Sequence, residues 1–216
     1  MKHVTKTFRD RREAGRVLAC DLARYQGRDH LLVLGLARGG VPIASEVAQA
    51  LHAPLGVCIV RKLGVPQWPE LAMGAIATGG GVVLNSELLR SLGIGDGDVR
   101  DAITRETAEL RRRERVYLGD REPLSVSGHT VILVDDGVAT GASMVAAVRS
   151  VRQAGAAHVI VGVPVGPPSV CRSLGDEADS VVCSTMPTHF QAVGQVFADF
   201  HQVSDDEVRE LLAASG

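Results

Sequence analysis

Aromatic side chains are scarce in this sequence: one Trp, two Tyr and four Phe make up 3% of its 216 residues. A platform that stacks single-stranded bases needs more than that. An excess of charge of one sign is missing too. The 23 Lys and Arg nearly balance the 25 Asp and Glu, for a formal net charge of −2. No broad basic face advertises nucleic acid or an anionic membrane surface, and neither partner is expected. No stretch approaches about 18 uninterrupted apolar residues, so no membrane span is expected. The start, Met1 to Lys6 followed by Phe8-Arg9-Asp10-Arg11-Arg12, has no apolar core of a signal peptide. The four cysteines (Cys20, Cys58, Cys171 and Cys183) form no C-x-x-C pair. They read as reduced core residues of a cytoplasmic protein. No internal repeat or low-complexity segment is visible.

What the sequence has is an alternation of short apolar runs with helical periods. Leu31–Gly35, Leu55–Val60, Thr130–Val134, Ala157–Val163 and Asp179–Cys183 have the pattern of buried strands. Helical spacing follows Pro42, runs from Ser143 to Gln153 and from Ser169 to Leu174, and begins again at Asp205. The expected fold class is α/β: one domain with a doubly wound, mostly parallel sheet flanked by helices and ligand loops at the strands' carboxyl ends. An N-terminal helix over residues 8–25 carries Arg9, Arg11, Arg12 and Arg16, and these read better as a solvated face than as a ligand site. The helix over 96–119 mixes Arg111, Arg112, Arg113 and Arg115 with Glu106, Glu109 and Glu114, so a salt-bridged face is the better reading there.

The sharpest local signal is the turn between the strand ending at Val134 and the helix starting near Ser143. It reads Asp135-Asp136-Gly137-Val138-Ala139-Thr140-Gly141-Ala142-Ser143. A glycine-containing turn at a helix N-terminus leaves backbone N–H groups for a phosphate, and Thr140 and Ser143 add hydroxyl donors. Two carboxylates beside a phosphate repel it unless they have other work. A ribose 5-phosphate reconciles the parts, because carboxylates accept hydrogen bonds from vicinal hydroxyls. An ATP-binding loop requires Lys after its second glycine, where this chain has Ala142. The dinucleotide pattern G-x-G-x-x-G is absent from the turn.

The stretch "VILVDDGVATGAS" resembles the phosphoribosyl-pyrophosphate (PRPP) motif of type I phosphoribosyltransferases. "ARGG" at 37–40 looks like that family's first, pyrophosphate-gripping loop. The pair Arg61-Lys62 resembles the one that opens the mobile loop of orotate phosphoribosyltransferase-like members. The resemblance spans roughly the Arg38 loop to Cys183. It implies transfer of 5-phosphoribosyl from PRPP to an acceptor with Mg2+ as cofactor and release of pyrophosphate. Asp135 and Asp136 would hold the 2′ and 3′ hydroxyls, one of them through the metal's hydration shell. Gly137, Val138 and above all Ala139 to Ser143 would hold the 5′-phosphate. Arg38, Gly39, Gly40 and Lys62 would take the pyrophosphate, supported by Arg61. Arg38, Lys62 and Asp135 would converge at one crevice.

Residues 63–85, rich in Gly and Pro, read as an irregular lid loop. Within it Val82–Asn85 is a return strand, with Met73–Ala77 as its partner. Trp68 is open to two readings, a cover for a base or an anchor. The termini, 1–28 and 186–216, are the candidates for a small hood over an acceptor, leaving 30–185 as core. Purine-salvage members carry an Asp where this chain has Ala139. The acceptor, nucleobase-like or anionic, should therefore arrive already anionic, as orotate is, or find its base elsewhere, for instance in Glu70 or His189. The alternative is a PRPP- or nucleotide-binding regulator of the same fold without turnover. A metal-dependent hydrolase leaves Gly141 and Ser143 unexplained. A homodimer is left open.

Overall fold

The computed structural model describes residues 7–215, except for the side chain of Glu70. In chain order its elements are α1 (Arg11–Asp21), β1 (Leu31–Leu36), α2 (Gly40–Leu51), β2 (Leu55–Cys58), β3 (Val60–Val65), β4 (Trp68–Ala77), β5 (Val82–Leu84), α3 (Ser86–Leu92), α4 (Asp96–Leu118), β6 (Thr130–Val134), α5 (Ala142–Gln153), β7 (His158–Val165), α6 (Pro168–Leu174), β8 (Ser180–Thr185) and α7 (Asp205–Ala213).

Five strands form a wholly parallel sheet in the order β2-β1-β6-β7-β8. Every residue of β1 and β6 is buried, because successive side chains enter different cores on the two faces. Val33, Ile132 and Ile160 pack with Leu18 of α1 and Val41, Ile43 and Val47 of α2. Leu34, Leu133 and Val161 pack with Met144 and Val148 of α5 and Leu174 of α6. This is the doubly wound sheet expected from the sequence.

The strand order fixes where a ligand can bind. β1 and β6 are neighbours, with Gly35 opposite Val134. The chain leaves β1 into α2 on one face and leaves β6 into α5 on the other. The two loops diverge there and open a crevice beyond the carboxyl ends of both strands, the usual ligand position in such sheets.

Three local expectations change. The segment expected to be an irregular lid is a second, antiparallel sheet in the order β3-β4-β5, with Lys62 opposite Ala75 and Gly74 opposite Leu84. Its return strand and that strand's partner are as expected. Gly and Pro interrupt its apolar residues: Leu63, Val65, Met73 and Ile76 are buried, whereas Trp68 and Leu71 are exposed. Arg61 and Lys62 accordingly lie within β3 of this flap rather than closing a strand of the main sheet. Helix α3 is an addition to the expected elements: Leu88 and Leu89 pack against the core only partly buried, and no residue of it is fully buried. Asn85 caps it by accepting from Leu88 N–H at 3.0 Å. The N-terminal helix is shorter than expected because Asp10 caps it, accepting from Glu13 N–H at 2.8 Å. Phe8 pairs instead with the tail, donating from its N–H to Val196 O at 2.7 Å and accepting from Ala198 N–H at 2.8 Å. No helix among the described residues is long and apolar enough to cross a membrane.

The flap is fastened to α5. The buried Ser150 hydroxyl donates to Gly81 O at 3.1 Å, and Val82 N–H donates to Gln153 Oε1 at 2.8 Å. Gly81 O keeps a second donor, Ala77 N–H at 3.2 Å. Ser150→Ala should therefore cost only about 1 kcal/mol and should raise amide exchange within 60–84 more than in the main sheet. Uniform exchange across both sheets would show that this bond does not fasten the flap.

Candidate functional site

The loop after β1 is pressed against the loop after β6. A Cβ on Gly39 would collide with the Asp136 carboxylate, and one on Gly40 with Val134 O and, at 2.8 Å, with Asp135 Cα. Only glycine allows this approach. Four of the residues singled out from sequence, Gly39, Gly40, Asp135 and Asp136, are thus in one place, with Arg38 at the rim.

The acids are held differently. Asp136 Oδ2 accepts from Arg11 Nη2 at 2.8 Å and Nε at 3.1 Å. Asp135 turns one oxygen back to accept from the Asp136 N–H at 2.9 Å. Burial raises the Asp135 carboxyl well above the ordinary carboxylate range, and the neighbouring Asp136 charge raises it further. Burial also raises Asp136, but Arg11 opposes that shift, so Asp135 is the acid that keeps its proton to higher pH. Arg11 is 8% exposed. The solvated-face reading of the N-terminal arginines fails at this position because α1 turns Arg11 inward onto the crevice. No local pattern in the sequence marks it apart from Arg12.

The turn to α5 begins with Val138 N–H donating to Val165 O at 2.9 Å. Gly141 takes the left-handed conformation, φ +79°, directly before the helix. Ala142 N–H lies 3.4 Å from Thr140 Oγ1. Among the described residues, the N–H groups of Ala139, Thr140, Gly141 and Ser143 meet no protein acceptor. They form a cup of amides at the positive end of a 12-residue helix, suited to a dianion.

The cations are spread more widely than the sequence implied. A cavity of about 630 Å³ is lined by Arg11, Arg38, Gly39, Asp136 and the tail residues Val193 and Phe200 to Val203. A second, of about 670 Å³, lies between the flap and α5 and has Lys62, Thr140, Ala142 and Ser143 on its wall. Arg38 sits 3.6 Å from Asp205 Oδ1, which also accepts from Tyr117 OH at 3.0 Å. Arg61 turns away and grips Glu106 of α4 at 2.6 and 3.0 Å. Expected convergence therefore holds for Arg38 and the acid pair, while Lys62 and Arg61 stand apart on the flap. His189 is exposed, with its carbonyl accepting from Gln195 Nε2 at 3.1 Å, and it lines neither cavity. The side chain of Glu70 lies outside the described residues, as do Met1 to Lys6.

A model of the phosphoribosyl transferase domain matches residues 12–200. This chain belongs to the phosphoribosyl transferase domain family. Two curated Mycobacterium tuberculosis relatives, named "Putative phosphoribosyl transferase MT0597" and "Putative phosphoribosyl transferase Rv0571c", are each 47% identical over 208 residues, which is 96% of this chain. The chain spans about half, 46%, of those relatives' own length. The solved structure of TT1426 from Thermus thermophilus is similar, with 43% identity and a TM-score of 0.85 over 97% of this chain and 99% of that one. The family match begins one residue after Arg11 and ends one residue before His201.

The acid pair gives a stability prediction. Native Asp135 holds its proton above the unfolded value, about 3.9, so in that window the folded state binds more protons than the unfolded one. Stability then falls as pH rises through the window. Asparagine keeps the acceptor for the Asp136 N–H without the charge. Asp135→Asn should raise the melting temperature by about 3 °C near pH 8, with the gain fading toward about pH 4. Equal melting temperatures at both pH values would contradict the strained-acid account.

Proposed function

We propose that this domain binds PRPP with Mg2+ and transfers its 5-phosphoribosyl group to a nucleobase-like or anionic acceptor, releasing pyrophosphate. The observation that carries the reading is the cup of four unpaired amides at Ala139 to Ser143, placed one turn beyond two carboxylates. The cup takes the terminal phosphate through Ala139, Thr140, Gly141, Ala142 and Ser143, with Gly137 and Val138 setting its approach. Asp135 and Asp136 accept from the ribose 2′ and 3′ hydroxyls.

The donor set fits magnesium in one way. Among the described residues no group of three His, Cys, Asp or Glu could hold a metal. Asp136 Oδ2 is engaged by Arg11 and one Asp135 oxygen by a backbone N–H. One oxygen on each acid is left, and through these Asp135 and Asp136 would hold a hydrated Mg2+ by its waters. When bound, the ion neutralises charge on the pyrophosphate.

In the transfer, the acceptor forms a bond to ribose C1 while the C1–oxygen bond breaks and pyrophosphate leaves with the electron pair. Arg38, Gly39 and Gly40 receive that charge, and Lys62 with Arg61 behind it completes the clamp as the flap moves in. The flap and the paired termini, acting as a hood, keep water from C1. Ala139 offers no proton acceptor, which favours an acceptor that arrives as an anion.

Titration calorimetry tests the assignment. The protein should bind PRPP with Mg2+, and Asp136→Asn should weaken that binding at least about tenfold. Pyrophosphate should appear only with the correct acceptor. Binding without pyrophosphate from any nucleobase or anionic acceptor would favour a PRPP sensor of the same fold. No binding at all would refute both readings.

A further inference from the structure

Arg11 is the most constrained cation described in the chain. Its Nε and Nη2 both donate to Asp136 Oδ2, its Nη1 donates to His201 O at 2.7 Å, and its guanidinium lies 4.0 Å from the centre of the Phe200 ring. Other arginines near it in the chain behave otherwise. Arg16 is 53% exposed and reaches Glu46 only at 3.5 Å, and Arg9 is 75% exposed against Glu13. A buried charge tied to a half-buried acid is a costly way to hold a helix in place, since apolar packing of the same volume does so as well or better. Two donors in fixed directions on one oxygen do something packing does not: they set the orientation of a carboxylate.

We propose that Arg11 is a positioning residue for the phosphoribosyl site. It aims Asp136 at the ribose diol and ties that acid to the strap of residues 199–203 on the far wall of the same cavity. The inference rests on the functional reading above. Both Arg11 donors on one side occupy Oδ2, so the diol meets Oδ1. Gly39 lies against the same carboxylate from the other loop. Because Nη1 holds His201 O, whatever fixes Asp136 also steadies the strap. Filling the diol site should then protect the strap amides through Arg11.

The test uses PRPP with Mg2+, read by calorimetry and by amide exchange, on the whole chain. Arg11→Met should weaken PRPP binding by about tenfold to a hundredfold, and Arg11→Lys by less, because an ammonium keeps the charge without the fork. In an Asp136→Asn background, Arg11→Met should change the affinity by less than about twofold. PRPP should slow exchange in 199–203 of the wild type and not of Arg11→Met. Losses that simply add in the double variant, or strap protection surviving in Arg11→Met, would make Arg11 a structural anchor and overturn the proposal. If Arg11→Met does not fold, Arg11→Lys decides, and wild-type affinity there overturns it. Unchanged affinity in Arg11→Met beside a wild type that binds defeats the Arg11 role alone. A wild type that does not bind PRPP defeats the functional reading and this inference with it.

Discussion

The close approach of two backbones governs this molecule. β1 and β6 lie side by side, and the chain leaves them toward opposite faces, so the loops that follow must share one crevice. They fit only because Gly39 and Gly40 carry no side chain against Val134, Asp135 and Asp136. That contact helps to desolvate the two acids, whose proton affinity burial raises.

Crowding two carboxylates together is costly, and the structure spreads the strain over distant parts of the chain. Arg11 comes from the first helix, and Asp205, at the start of the last, stands beside Arg38. Phe8 and Arg9 pair with Val196 to Asp199, which brings both ends of the described chain to the same wall. The charge balance of the sequence therefore hides strong local fields. Arg38, Arg11 and Arg61 each face an acid, so these charges are paired locally and do not show in the net value.

The parallel sheet and its five strands could be read from sequence because a strand buried on both faces leaves an unbroken apolar run, as in Leu31–Leu36 and Thr130–Val134. The phosphate turn was readable because its residue types are tied to local backbone chemistry. The flap was harder, since Gly64, Pro66 and Pro69 break up an alternation that only the buried Leu63, Val65 and Met73 reveal. Helix α3 is a seven-residue element whose leucines, Leu88, Leu89 and Leu92, are too few to stand out inside the flap region, and two of them are only partly buried. Arg11 could not be singled out at all: its partner is 125 positions away, and its neighbours in sequence are arginines that face solvent. The outward turn of Arg61 toward Glu106 has the same origin, a contact 45 positions apart.

The central claim is that bare amides, with no lysine in the loop, grip the ribose 5-phosphate while the acids behind them hold the diol. A crystal structure of the protein with PRPP and Mg2+ tests it most directly. The account predicts phosphate oxygens within about 3 Å of the N–H groups of Ala139, Thr140, Gly141 and Ser143, with the ribose hydroxyls on Asp135 and Asp136. PRPP bound with its 5-phosphate anywhere else, and that cup still empty, would contradict it.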